Sequence, residues 1–174
     1  MNTIEKSLKL EKGSIILYQQ SEDLLKTVAG SGLTEEEMDK GVYKPGEGIT
    51  GQVFDSGTAK ILESLAVEKG FLNKMGFLSQ FKHDPEEIAF LSAPIQSEQS
   101  IIGVINVFFV KQKYMELTTY LDFLQIVASF ISQAIRIHGL VDEAKKEISR
   151  ENTYLKRELK DKYKFGSMIG KTRS

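Results

Sequence analysis

From Tyr114 through Lys162 the chain contains no proline, and its single glycine is Gly139. A stretch of that length without helix breakers predicts one continuous helix, roughly 70 Å long at 1.5 Å per residue. Its first half, Leu117–Ile137, is apolar almost all the way round, through Leu121, Phe123, Leu124, Ile126, Val127, Phe130, Ile131, Ala134, Ile135 and Ile137. One such face can cover a sheet. A single sheet cannot cover all of it, so the surplus calls for a second partner, most simply a copy of the same helix. From His138 the helix becomes highly charged. Val141, Ile148 and Leu155 recur at heptad spacing, interleaved with His138, Lys145, Asn152 and Leu159. That pattern is a coiled-coil seam with good residues at d and mostly polar ones at a, and an asparagine at a favours a parallel pair of strands. The dimer contacts expected from this reading are Leu124, Val127, Ile131 and Ile135, followed by His138, Val141, Ile148, Asn152, Leu155 and Leu159. A solvated single helix with chance spacing is the alternative, because fewer than four heptads are present.

Ahead of the helix the pattern is that of an antiparallel sheet. Ser14–Gln20 and Leu24–Ala29 read as a hairpin around Ser21-Glu22-Asp23, closed by Gly30-Ser31-Gly32. Glu87–Ile95 and Ile101–Val110 read as a second hairpin across the polar Gln96–Ser100 loop, apolar enough to be central strands covered on both faces. Residues Met1–Lys12 offer at most a short helix. Thr34 followed by Glu35, Glu36 and Glu37 is an N-cap with acidic residues in a first helical turn, ending near Gly41. Between the hairpins, Tyr43–Pro85 is punctuated by glycine and proline, and long insertions of this kind commonly carry function.

With 174 residues, there is room for one domain and an appendage. Twenty-three basic against 24 acidic side chains leave a net charge of −1, so no global basic field is available to hold nucleic acid or an anionic membrane. Cysteine is absent, which excludes disulfides, thiolate catalysis and Fe–S clusters. His83 and His138 alone cannot make an imidazole-rich metal site. The longest apolar stretch, Ile101–Val110, is far short of a bilayer span. The start, with Glu5, Lys6 and Lys9, lacks a signal-peptide h-region, so the expectation is a cytoplasmic protein without a membrane partner.

The most specific string is Lys44-Pro45-Gly46-Glu47-Gly48-Ile49-Thr50-Gly51-Gln52-Val53-Phe54-Asp55-Ser56-Gly57. Its spacing places Ile49, Val53 and Phe54 on one face of a short helix that Gly57 terminates. It has no Gly-Lys-Ser/Thr ending, so it is not read as a phosphate loop. Followed by a short strand over Thr58–Leu62, the string resembles the signature of GAF domains, small-molecule sensing domains built on an antiparallel sheet between helices. The resemblance covers most of residues 1–138 and implies an α+β fold, a GAF-like central antiparallel sheet flanked by helices, with a long C-terminal signalling and dimerisation helix. More narrowly, Gly32–Glu37, Tyr43–Gly51 and Phe71-Leu72-Asn73-Lys74 resemble the regulatory domain of the nitrogen-fixation activators of the NifA group. Glu151-Asn152, Leu155–Leu159, Tyr163-Lys164-Phe165 and Ile169-Gly170-Lys171 resemble the linker into the AAA+ ATPase domain of sigma-54-dependent transcription activators. The implied organisation is a sensory domain over 1–138, a coiled-coil linker helix over 139–162, and the start of a truncated AAA+ domain over 163–174. The chain would then be a piece holding the regulatory domain and linker of a longer ATPase.

No catalytic constellation is present, since neither histidine stands beside a nucleophile. The reading is a binding and signalling module rather than an enzyme. The resemblance places a ligand between the sheet and the middle insertion, with Thr50, Phe71, Leu72, Lys74, Met75, Phe81, His83 and Ile95 as candidate liners and Phe77 as further apolar wall. Small-molecule pockets are mostly apolar with a few placed polar groups, and Lys74 and His83 are donors suited to a carboxylate. Alternatively the phenylalanines are ordinary core and Lys74 a solvated charge. Some NifA-group relatives sense 2-oxoglutarate, an anionic effector that a cation here would suit; no other cofactor is implied. The expected partners are a second copy of the chain, a regulatory protein, and, through other domains of the whole protein, sigma-54 RNA polymerase and DNA. A GAF sensor of another signalling protein such as a histidine kinase is the alternative, against which stands the tail, and a stand-alone enzyme on a similar fold is disfavoured by the missing cysteines.

Overall fold

A computed structural model describes residues 10–171. Strands β1 (Leu10–Gln19), β2 (Leu24–Ser31), β3 (Val42–Tyr43), β4 (Lys60–Leu62), β5 (Ile88–Gln96) and β6 (Ile101–Val110) form one sheet in the order β3-β2-β1-β6-β5-β4. Every neighbouring pair is antiparallel. Helices α1 (Glu35–Lys40), α2 (Gly48–Ser56) and α3 (Leu117–Lys171) complete the α+β architecture expected from the sequence.

The two hairpins form where turn chemistry and apolar runs placed them. Leu10–Lys12 is the first part of β1 rather than part of a short helix, and the rest of that expected segment lies outside the described residues. Leu10 and Lys12 pair with Phe109 and Phe108, and these contacts outweigh the mixed local pattern. The β4 strand starts at Lys60, two residues later than expected. Gly57, at φ 65°, closes α2 in the left-handed region, and Thr58 N–H donates to Ser56 Oγ, so the chain is still turning there. Thr34 caps α1 in a full capping box: its Oγ1 accepts from Glu37 N–H, and the Glu37 carboxylate accepts from Thr34 N–H.

Because strand side chains alternate, β5 and β6 serve two cores. Ile88, Phe90, Val104 and Phe108 point to one side, where they join Ile16, Leu25, Ile49, Val53, Met75 and Phe77 under the insertion and α2. Ala89, Leu91, Ala93, Ile95, Ile105 and Phe109 point to the other, where they pack against Leu124 and Ala128 of α3.

This seating takes Leu124 out of the expected dimer contacts and shares Val127 and Ile131 with the sheet. Leu124 is only 5% exposed, and Val127 and Ile131 are half-buried against the same core, so all three serve the sheet within one chain. Ile135 is half-buried too. The surplus apolar face consists instead of Phe123, Ile126, Phe130 and Ile137, with Phe130 66% exposed. The helical period explains the exchange, since residues adjacent in sequence point about 100° apart and the sheet takes only one of the two stripes.

The chain divides into two compact units, one running to Gln133 and the other starting at Ala134. In the second unit, every described side chain from Arg136 to Gly170 is exposed, including His138, Val141, Ile148, Asn152, Leu155 and Leu159. The helix runs through Tyr163 to Lys171 without a break. Counted with its polar interruptions, α3 holds an 18-residue stretch of mean hydropathy 1.3, 17% buried, long and apolar enough to cross a membrane. Against that use stands the burial of Leu124 and Ala128 in the core of the sheet.

Candidate functional site

Strands β1, β6 and β5 each place a small polar residue on the insertion side, and the register aligns the three. Ser14 of β1 stands opposite Asn106 of β6, which stands opposite Ser92 of β5. The result is a buried polar row across an otherwise apolar floor. Ser92 Oγ donates to Asn106 Oδ1 at 2.7 Å, and Asn106 Nδ2 donates to Thr50 Oγ1 at 3.0 Å. Thr50 belongs to α2, so the network ties that helix to the sheet. Ser14 Oγ, equally buried, has no hydrogen-bond partner.

Above the row lies a small cavity lined by Ser14, Thr50 and Asn106 below and by Tyr43, Phe71, Leu72, Met75, Phe77, Phe90 and Phe108 around it. The space open to the centre of a water molecule is about 10 Å³, room for one water. Phe108 anchors the walls. Its ring centroid is 4.6 Å from that of Phe90, 4.9 Å from Phe77 and 5.8 Å from Phe71, the last two in edge-on contacts.

Two lysines fasten the insertion over this cavity. Lys74 Nζ donates to the Val42 carbonyl at 2.9 Å, pairs with Glu47 at 2.7 Å and lies 5.2 Å from the centre of the Tyr43 ring. Lys12 Nζ reaches both Glu37 oxygens at 3.3 Å and Gln80 Oε1 at 3.2 Å, 5.0 Å from the Phe77 ring centre. Hydrogen bonds from Lys74 and from Lys44 N–H outweigh desolvation and hold the Glu47 carboxyl below its ordinary pKa. Burial pushes Glu37 up, but bonds from Thr34 N–H, Lys12 and Gln80 overcome it and leave that carboxyl lowered as well. Burial, and then the charge of Glu47, push the Tyr43 hydroxyl up to about 12, so it stays a neutral donor.

The glycine-rich string shapes the entrance to α2. Gly48 has φ 62°, and a β-carbon there would come within 2.9 Å of Leu72 in the roof. At Gly51 a β-carbon would sit 2.5 Å from the Lys44 carbonyl oxygen. Only a residue without a side chain allows that turn to close so tightly that Thr50 reaches Asn106.

Of the candidate ligand residues, Thr50, Phe71, Leu72 and Met75 line the cavity. Phe81 packs on the same core, against Phe77 and Phe108, without lining the cavity. Lys74 is spent on Glu47 and Val42, outside the lining. His83 is partly exposed and lies 3.4 Å from Glu87. Ile95 falls on the opposite face of β5, fully buried beneath α3, because it is an odd number of residues from Ser92. Ser14, Ser92 and Asn106 were missed. Ser92 and Asn106 carry a signal, each being a lone polar residue inside an apolar run where a buried polar group must find a partner, whereas Ser14 follows Glu11 and Lys12 and carries none. Among the described residues no group of three or more His, Asp and Glu side chains is placed to hold a metal.

The family model described as GAF domain matches residues 1–136. The Nif-specific regulatory protein of Herbaspirillum seropedicae is 31% identical over 98% of this chain, and the nitrogen fixation protein AnfA of Azotobacter vinelandii is 27% identical over 99%. The chain spans about a third of the length of these relatives, 31% and 32% respectively. Among solved structures, the GAF domain of A. aeolicus nlh2 in an inactive state superposes with a TM-score of 0.67 at 21% identity, over 78% of this chain and 79% of that one. The GAF domain of an Acinetobacter phosphoenolpyruvate-protein phosphotransferase gives 0.59 at 21% identity, over 82% of this chain and 80% of that one. With its six-stranded antiparallel sheet, its insertion folded over one face and its long helix on the other, this chain belongs to the GAF domain family.

Proposed function

We propose that the chain is the regulatory sensor of a cytoplasmic sigma-54-dependent transcription activator, acting on an ATPase domain through a dimeric helix. The observation that carries this reading is that similarity to Nif-specific regulatory proteins extends over nearly the whole chain, past the sheet and along α3. The cavity under the insertion is the sensing site, occupied by a small molecule or controlled by a regulatory protein seated on the insertion. Phe123, Ile126, Phe130 and Ile137 supply the apolar stripe for a second copy, and the seam through Val141, Ile148 and Leu155 continues it. An effector that prefers one packing of the pair shifts the population of dimers, and α3 passes that shift toward the ATPase domain.

Light scattering combined with thermal melts tests this. A dimer whose melting temperature rises with an effector, 2-oxoglutarate and cyclic nucleotides being the first to try, supports a working sensor, since a ligand that binds only the native state must stabilise it. A dimer indifferent to every compound points to control by a partner protein. A monomer at high protein concentration removes the helix pair from the mechanism.

A further inference from the structure

Resting on the cavity as the sensing site, we infer that this site takes an uncharged hydrogen-bond acceptor, a water-sized group in the closed state and a small amide or carbonyl compound when the roof opens, rather than a carboxylate. The polar row dictates the class. Asn106 spends its oxygen on Ser92 and one amide proton on Thr50. Thr50, having accepted from Asn106, keeps its hydroxyl proton to give. Ser14 is 4% exposed, faces the cavity and lacks any partner, so it too is free to donate. The floor therefore offers the hydroxyl protons of Ser14 and Thr50 to the cavity they line, and an acceptor oxygen is the group that takes them.

Charge then decides between acceptors. A buried anion requires a cation to offset its desolvation. Among the described residues no cation lines the cavity, and Lys12 and Lys74 on the insertion side are already paired with Glu37 and Glu47. A carboxylate would have to break one of those pairs and leave a buried or half-buried glutamate behind. A neutral amide or carbonyl breaks neither. Its apolar remainder would meet Phe71, Phe77, Phe90 and Phe108. Leu72, which lines the cavity and is 37% exposed, is the point at which the roof meets solvent.

Titration of the nitrogen-15-labelled protein with propionamide, propionate and 2-oxoglutarate, followed through the side-chain amide signals of Asn106, tests this. Propionamide should shift those signals while the two carboxylates leave them in place. Ser14→Ala, which removes one donor and little volume, should weaken propionamide on the order of five- to tenfold while the protein keeps its melting temperature within a few degrees. A shift with the carboxylates and none with propionamide overturns the inference and leaves the sensing site standing. No shift with any of the three overturns the inference, and a melting temperature that no effector raises, cyclic nucleotides included, removes the small-molecule site as well and leaves control by a partner protein.

Discussion

On the α3 side of the sheet, Ala89, Leu91, Ala93 and Ile95 meet Leu124 and Ala128 in a packing that is almost wholly aliphatic, with Phe109 and Tyr120 beside it. On the insertion side, the same two central strands present Ser92 and Asn106 to a network, a ring of phenylalanines and two lysine clasps. One backbone thus builds a seat that gains only from filling and a floor whose polar groups cost free energy unless answered. The first holds a helix. The second borders a cavity.

Phe108→Ala should have the largest effect, about 4 kcal/mol in urea unfolding, because it opens the centre of the aromatic cluster. It should also enlarge the cavity enough for small apolar compounds to raise the melting temperature. A loss below about 2 kcal/mol would mean that the roof collapses into the gap. Leu124→Ala, on the opposite face, should cost about 3 kcal/mol without creating any such ligand response. Asn106→Leu should cost about 2 kcal/mol, since the hydroxyls of Ser92 and Thr50 are left buried without a partner. If it stabilises the protein instead, the row is a surplus polar feature and not a working floor.

The smallest contrast is in acid. Glu47 and Glu37 are held below their ordinary values. A depressed carboxylate contributes stability that is present above its unfolded pKa of about 4.5 and is lost as pH falls through the lower folded value. Glu47→Gln should therefore flatten part of the decline in urea midpoint between pH 6 and about pH 3. The cost of Leu124→Ala should be the same at both ends of that range. Equal pH slopes in wild type and Glu47→Gln would show that the Lys74 clasp does not matter to stability.

Most of the sheet could be read from the chain because its signals are local. The polar turn at Gln96–Ser100, the Thr34 capping box and the stop at Gly57 each act within a few residues. The site was only half legible. Phe71, Leu72 and Met75 stand together in sequence and line the cavity together, whereas Ser14, Ser92 and Asn106 meet only through strand register. Ile95 was misplaced because choosing a face needs the parity of the strand against a known inward residue. The same kind of ambiguity took Leu124 out of the dimer seam and shared Val127 and Ile131 with the sheet, since a helix apolar all round does not declare which stripe is claimed first.

The alternation of β5 and β6 has a mechanical consequence. A cavity of about 10 Å³ can admit a larger guest only by displacing a wall, and close-packed interiors pass strain on instead of absorbing it. There are two compliant walls, loaded in series. If the insertion yields first, its two lysine tethers stretch and the displacement escapes to the surface. If the tethers hold, the floor deflects, and the reverse side of that floor is the bed on which Leu124 and Ala128 rest. If the cavity is the sensing site proposed above, the stiffness of the Lys12 and Lys74 tethers sets how far its occupancy would be converted into motion of the helix on the other side of the sheet.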